Sequence, residues 1–275
     1  MNFIHQKNEQ MKKKYILYLG LVLLATMNSS CGKINLLSLE DEKNLGLQSR
    51  DEILNTMPVL PRSSNPNAYA LLESMRNQIL SSGQVEHAND FAWEVYIIKD
   101  DATLNAFCTP GGYIFFYTGL MKYLDNSSSV AGVMGHEMAH AARRHSGKQM
   151  TSQLGLNLLL QIVAGTSGND IAQVVGLMTQ LGALKFSRDH ETEADSYSVK
   201  YLCPTQYQSD GASYFFQKLI DQGQSSGVPT YMSTHPDPGD RVNNIKSQAA
   251  SSTGCATTKQ PFSGDNSYIA LRNTL

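Results

Sequence analysis

Two histidines and a glutamate stand close together as His136-Glu137-Met138-Ala139-His140. On an α-helix, residues four apart share a face, so both imidazoles can reach a single metal ion. Glu137 lies between them around the helix and can act as a base toward a water held there. A hydrolytic zinc site takes three protein ligands and leaves a fourth position open. His145 is five residues past His140. On a continuous helix that is about 140° around the axis, so it should point away as a structural or surface residue. Glu191 is the better candidate. It occurs in Ser187-Arg188-Asp189-His190-Glu191-Thr192-Glu193-Ala194-Asp195, with Asp195 one turn further on the same face. A ligating carboxylate followed by a carboxylate that orients a histidine's free ring nitrogen fits this spacing. The competing reading is a solvated acidic helix face, because Asp189 and Glu193 are also present.

The remaining chain has to position these groups. It has 275 residues, 41% hydrophobic and 17% charged, which suits one globular domain with a sizeable core. The N-terminus reads as a targeting segment. Lys12, Lys13 and Lys14 precede about eleven apolar residues, too few for a permanent membrane helix, and Asn28-Ser29-Ser30-Cys31 follows. That pattern resembles a lipoprotein signal over residues 1–30, with Cys31 lipidated and residues 31–37 a tether. Formal net charge is −2. No basic block lies outside the N-terminus, which argues against nucleic acid as a partner. Losing residues 1–30 removes four lysines and one glutamate, so attachment to a membrane would rest on the lipid rather than on charge.

The pattern predicts helices over 38–56 and 67–81, with Ser38 and Asp41 spaced as a capping box. Extended segments follow at 93–99, 105–108 and 113–118, then a short helix to Leu124. The motif helix is expected from Ser129 to about Lys148, and an apolar helical hairpin over 150–186. Further helices are expected at 187–202, 210–222 and 241–250, with a loop over 225–238 and an extended tail over 256–275. Cys203 and Cys255 are candidates for a disulfide, and Cys108 for a buried free thiol.

The combination His136-Glu137-x-x-His140 with Glu191-x-x-x-Asp195 resembles the HtpX and CAAX-prenyl-protease family of zinc metallopeptidases, which are gluzincins. Asn105-Ala106-Phe107, Pro110-Gly111-Gly112, Tyr117-Thr118-Gly119-Leu120, Ser187-Arg188-Asp189 and Glu42-x-x-x-Gly46 add to the likeness, which is greatest to the soluble periplasmic BepA-like and LoiP-like branch. The resemblance implies an α+β fold, mainly helical, with a small mixed sheet flanking the active-site helix over residues 38–255. It implies one zinc ion on His136, His140 and Glu191, Glu137 as general base, and Asp195 behind the ligands. Ser233-Thr234-His235-Pro236 resembles a later segment whose histidine approaches the metal. His235 would stabilise the oxyanion or hold the site latent, and Arg241 is a second candidate for the oxyanion. Asn105, Ala106, Phe107 and Cys108 would form an edge strand that binds an extended polypeptide.

The implied function is a metalloendopeptidase of the bacterial cell envelope. It would be a periplasm-facing lipoprotein, at the outer membrane rather than the inner, acting on misfolded or misassembled envelope proteins. No repeat array follows the domain in this sequence, so no dedicated partner-docking module is expected. The rival class is a lipid-anchored, chaperone-like binding protein with a latent zinc site, against which an intact Glu137 argues. A non-peptidase hydrolase is a third reading.

Overall fold

The computed structural model describes residues 34–153, 185–222, 230–235, 240–252, 255 and 265–275. Residues 1–30, Cys31 and residues 154–184 of the expected apolar hairpin lie outside the described residues. Among the described residues, no helix is long and apolar enough to cross a membrane.

The chain opens with α1 (Leu39–Thr56). Its Ser38 hydroxyl accepts from the Asp41 amide, and the Asp41 carboxylate accepts from the Ser38 amide, so the capping box forms as expected. Pro66 occupies the first turn of α2 (Pro66–Leu80), where its missing N–H costs nothing. Three strands follow: β1 (Glu94–Ile98), β2 (Ala106–Thr109) and β3 (Tyr113–Tyr117). They form a mixed sheet in the order β1-β3-β2. β1 runs parallel to β3, pairing Val95 with Ile114, while β2 runs antiparallel to it, pairing Cys108 with Ile114. The tight β2–β3 turn uses Gly111 and Gly112 at φ +77° and +86°, a region that disfavours side chains.

Every residue of β2 and β3 is buried, because both faces of the sheet are covered. Ala106, Cys108, Ile114 and Phe116 join the main core. Phe107, Tyr113, Phe115 and Tyr117 form an aromatic layer with Ile53 of α1. β2 remains an edge strand, as the sequence suggested, with β3 its only strand neighbour among the described residues.

After the short α3 (Thr118–Tyr123) comes α4 (Ser127–Ala142), which carries the motif. Asn126 caps it by accepting from the Ser129 amide at 2.8 Å. All of its residues are buried, so it runs through the middle of the domain. It packs on β2, α2, α6 (Arg188–Leu202) and α7 (Gly211–Asp221). The approach of α7 is close enough that a Cβ on Gly132 would strike the Ala212 backbone nitrogen. Ser198 of α6 donates to the Gly132 carbonyl at 2.8 Å.

Three expectations need correction. The motif helix does not continue to Lys148. It ends at Ala142, Arg144 takes φ +58°, and α5 (His145–Gln153) starts afresh. Residues 225–238 are not all loop, because α8 (Thr230–Thr234) lies within them. The tail is not all extended: α10 (Asp265–Arg272) follows α9 (Arg241–Ser251), and the fully buried Tyr268 donates its hydroxyl to the Met121 carbonyl. The described end of the tether, residues 34–37, is bound to the body. The Leu36 amide donates to Thr151 Oγ1 at 3.1 Å, and Leu37 is buried. Cys203 and Cys255 form the expected disulfide, which ties the end of α6 to the chain after α9, and Cys108 is a buried free thiol.

Gly132→Ala should force α4 and α7 apart. Overpacking of this kind costs about 1–3 kcal/mol, and a domain of this size loses about 2–4 °C in Tm per kcal/mol. A melting curve that matches wild type would show that the two helices are not packed so closely.

Candidate metal centre

The break after Ala142 leaves His136, Glu137 and His140 on the inner surface of α4, facing α6 and α8. Ser187 caps α6 by accepting from the His190 amide at 3.2 Å, which sets the first turn where Glu191 sits. His136, His140, Glu191 and His235 converge, with donor atoms all within 4.8 Å of one another and all four residues buried.

The spacing of these donors is informative. His136 Nε2 lies 3.0 Å from His140 Nε2. Glu191 Oε2 is 3.4 Å from His136 Nε2, and Oε1 is 3.4 Å from His140 Nε2. His235 Nδ1 is 3.1 Å from Glu191 Oε1 and 3.4 Å from His136 Nε2. Separations of 3.0–3.4 Å suit donors that each lie about 2 Å from one shared ion, the length of zinc–nitrogen and zinc–oxygen bonds. Glu191 Oε2 is fully buried with no well-aligned hydrogen-bond donor, its near neighbours being Arg241 Nη2 at 3.0 Å and His136 Nε2 at 3.4 Å, so a lone pair is left that can face an ion. The donor set, two or three imidazoles and a carboxylate, is that of zinc. The group can hold one metal ion.

Electrostatics agree. Burial would raise the Glu191 carboxyl, but His235 and Arg241 hold it well below the usual carboxylate range. Burial likewise opposes ionisation of Asp195, yet Arg241 and His136 keep its pKa low. Burial pushes His140 well below the ordinary histidine value, leaving a neutral ring with a lone pair to offer. His136 moves the other way. Burial and Arg241 lower it, but hydrogen bonds to Asp195 and Glu191 lift it to about 9. Without an ion, two buried carboxylates draw a proton onto that ring; a divalent cation meets the same demand for positive charge.

Behind the ligands, His136 Nδ1 donates to Asp195 Oδ1 at 2.8 Å, as expected of Asp195. Arg241 does not line the cleft beside Glu137. Its Nε and Nη2 donate to the two Asp195 oxygens at 2.6 and 2.8 Å, its Nη2 is 3.0 Å from Glu191 Oε2, and the Phe216 ring lies against it. The Arg241 Nε and Nη2 are engaged by the carboxylates, while Nη1 is buried with no hydrogen-bond partner among the described residues.

A small cavity of about 30 Å³ adjoins Glu137. Phe107 and Cys108 of β2 line it, together with Ser146, Phe186, Thr234 and His235. Asn105 and Ala106 are buried before and at the start of β2 and are not part of that lining.

Three contributors were missed in the sequence. Tyr231 donates its hydroxyl to Glu137 Oε1 at 3.2 Å and stacks on His235 at 4.3 Å. Its spacing of four from His235 was a helical signal inside a stretch read as loop. Phe186 stacks on His140 at 3.9 Å, and no motif marked it. His145 does not point away. It is fully buried, with Nδ1 3.0 Å from His140 Nδ1, because the helix is broken between them.

This fold and site define a metallopeptidase-type domain, with two helix-borne histidines, a glutamate between them and a carboxylate from a second helix. The sequence matches the model of peptidase family M48 over residues 66–249, and the chain belongs to that family. Similar proteins include the beta-barrel assembly-enhancing protease of Escherichia coli K12, 27% identical over 242 residues, which cover 82% of this chain and 47% of that protein. The mitochondrial metalloendopeptidase OMA1 of Schizosaccharomyces pombe is 27% identical over 218 residues, covering 78% of this chain and 63% of that one. Metalloprotease LoiP of Escherichia coli K12 is 32% identical over 163 residues, covering 56% and 61%. The chain spans less than half the length of the beta-barrel assembly-enhancing proteases it matches.

Asp195→Asn keeps the side chain's shape and removes the charge that orients His136. It should lower zinc affinity on the order of 10- to 100-fold in a competition titration with a chromophoric chelator. An unchanged affinity would remove Asp195 from the metal centre.

Proposed function

We propose that the chain is a zinc-dependent metalloendopeptidase of the bacterial cell envelope, held at the membrane by a lipid on Cys31. The observation that carries this reading is the placement of Glu137. It adjoins a complete set of zinc-type donors and, among the described residues, is held by the Tyr231 hydroxyl at 3.2 Å and faces His235 Nε2 at 3.6 Å rather than pairing with Asp195 or Arg241. A purely structural site has no need of such a base.

His136, His140 and Glu191 would hold the zinc, which when bound supplies a Lewis acid that polarises the scissile carbonyl and acidifies a water. Glu137 takes the proton of the attacking water and delivers it to the leaving amine. Burial raises the Glu137 pKa, which makes its carboxylate a stronger base, and the Tyr231 hydroxyl holds Oε1 in place. β2 is an edge strand, unpaired on its outer side among the described residues, and leads through Phe107 and Cys108 to Glu137. Backbone pairing recognises any extended chain with little demand on its sequence, which suits unfolded polypeptides. Misfolded or misassembled envelope proteins are the proposed substrates. The basic, apolar and Cys31 pattern of the N-terminus supports the location, and relatives named for β-barrel assembly support the substrate class.

One observation favours a second reading in which the zinc site is latent in a chaperone-like binding protein. His235 Nδ1 lies at the fourth corner of the donor set, and a cavity of about 30 Å³ admits a water but no substrate. Peptide entry therefore requires the residues around this cavity, His235 among them, to move apart.

Casein cleavage by the zinc-loaded chain tests the proposal. Glu137→Gln should abolish cleavage, by at least about 100-fold, with zinc content unchanged. Equal and negligible cleavage by both proteins, with binding of unfolded chains retained, would establish the binding-protein reading. His235→Ala separates the roles of that residue: a faster basal rate marks a latch, and a slower one marks an oxyanion contact.

A further inference from the structure

The two histidine ligands are supported differently. His136 leans on a carboxylate, Asp195, whereas His140 leans on a third imidazole. His145 is fully buried, and its ring lies flat against His190 at 4.3 Å and 12°. Its Nδ1 is 3.0 Å from His140 Nδ1, and its Nε2 is 3.1 Å from Glu193 Oε2. Arg143 Nε donates to the other Glu193 oxygen at 2.7 Å, and the same guanidinium pairs with Glu86.

The proton count along this chain allows one direction. An Nδ1–Nδ1 contact is a hydrogen bond only when one ring carries the proton there. Ionised Glu193 can only accept, so His145 presents N–H at Nε2 and a lone pair at Nδ1. His140 then carries its own proton on Nδ1 and turns an unprotonated Nε2 toward His136 and Glu191. The opposite order would aim an N–H at the donor cluster and remove His140 as a ligand.

The backbone is bent to make this contact. Arg144 sits in the left-handed region, which disfavours a non-glycine residue. It is held there by buried Glu42, whose Oε2 accepts from Arg144 Nε at 3.0 Å, and by the Leu37 carbonyl, which accepts from Nη2 at 2.6 Å. Without that elbow, His145 would lie on another face of a continuous helix.

We infer that His145 is a positioning residue, delivered by the Arg144 elbow and oriented by Glu193, that fixes the tautomer and ring plane of His140 for metal binding. This rests on the reading of His136, His140 and Glu191 as zinc ligands.

The test compares wild type, His145→Phe, Glu193→Ala and the double variant as full-length chains in detergent. Zinc affinity is read by chelator competition and ligand geometry by the visible absorption bands of the cobalt(II) form. His145→Phe should weaken zinc on the order of 10- to 100-fold and shift the cobalt bands. Glu193→Ala should shift the same bands and weaken zinc in the same direction. The double variant should be no worse than the poorer single one, because both act through one contact. Lower thermal stability with unchanged affinity and unchanged bands would overturn the inference, and so would a loss confined to His145→Phe. If His145→Phe does not fold, Glu193→Ala decides alone, since its side chain is one-third exposed and removable. A wild-type chain that binds no zinc would instead overturn the ligand reading on which the inference stands.

Discussion

Three carboxylates, on Glu137, Glu191 and Asp195, are almost completely removed from water within one small volume. An unpaired buried carboxylate costs several kcal/mol, so the surrounding structure has to supply positive charge and hydrogen bonds. Arg241 supplies part by bridging Asp195 and Glu191. Histidine rings supply more, and Glu191 Oε2, which Arg241 approaches without a well-aligned hydrogen bond, can still take a cation. The site is therefore a place where charge balance, more than shape, calls for a metal ion.

Such a cluster keeps its geometry only if its elements cannot shift. The motif helix is buried along its whole length, which gives it neighbours on every side. Glycine at 132 and 211 lets a second helix touch its backbone, and Ser198 ties α6 to it directly. Displacing α4 would mean opening cavities in a close-packed interior. The same packing places an edge strand beside Glu137, which brings together the proposed recognition surface and the proposed base.

Much of this could be read from residue types and spacing. Apolar periodicity, the Ser38 cap and the β-branched and aromatic segments locate the helices and strands well. Glu191 and Asp195, four apart, stood out as a candidate ligand and the carboxylate behind it, and the structure brings Glu191 to the histidines and Asp195 to His136. What was hidden depends on backbone conformation or on contacts distant in the chain. Nothing local announced that Arg144 would leave the helical region, because its partner Glu42 is about a hundred residues away. With that break unseen, His145 was projected onto the wrong face. Tyr231 was overlooked because a five-residue helix carries too little periodicity to stand out. The pairing of Arg241 with Asp195 exists only in three dimensions, and nothing in the sequence spacing pointed to it.

The central claim is that His136, His140 and Glu191 hold a single zinc ion. The most direct test is a zinc-edge anomalous difference map from crystals of the zinc-loaded chain. The account predicts one peak per chain, about 2.0–2.2 Å from His136 Nε2, His140 Nε2 and a Glu191 oxygen. A map with no peak among these three residues, or with its strongest peak elsewhere, would contradict it.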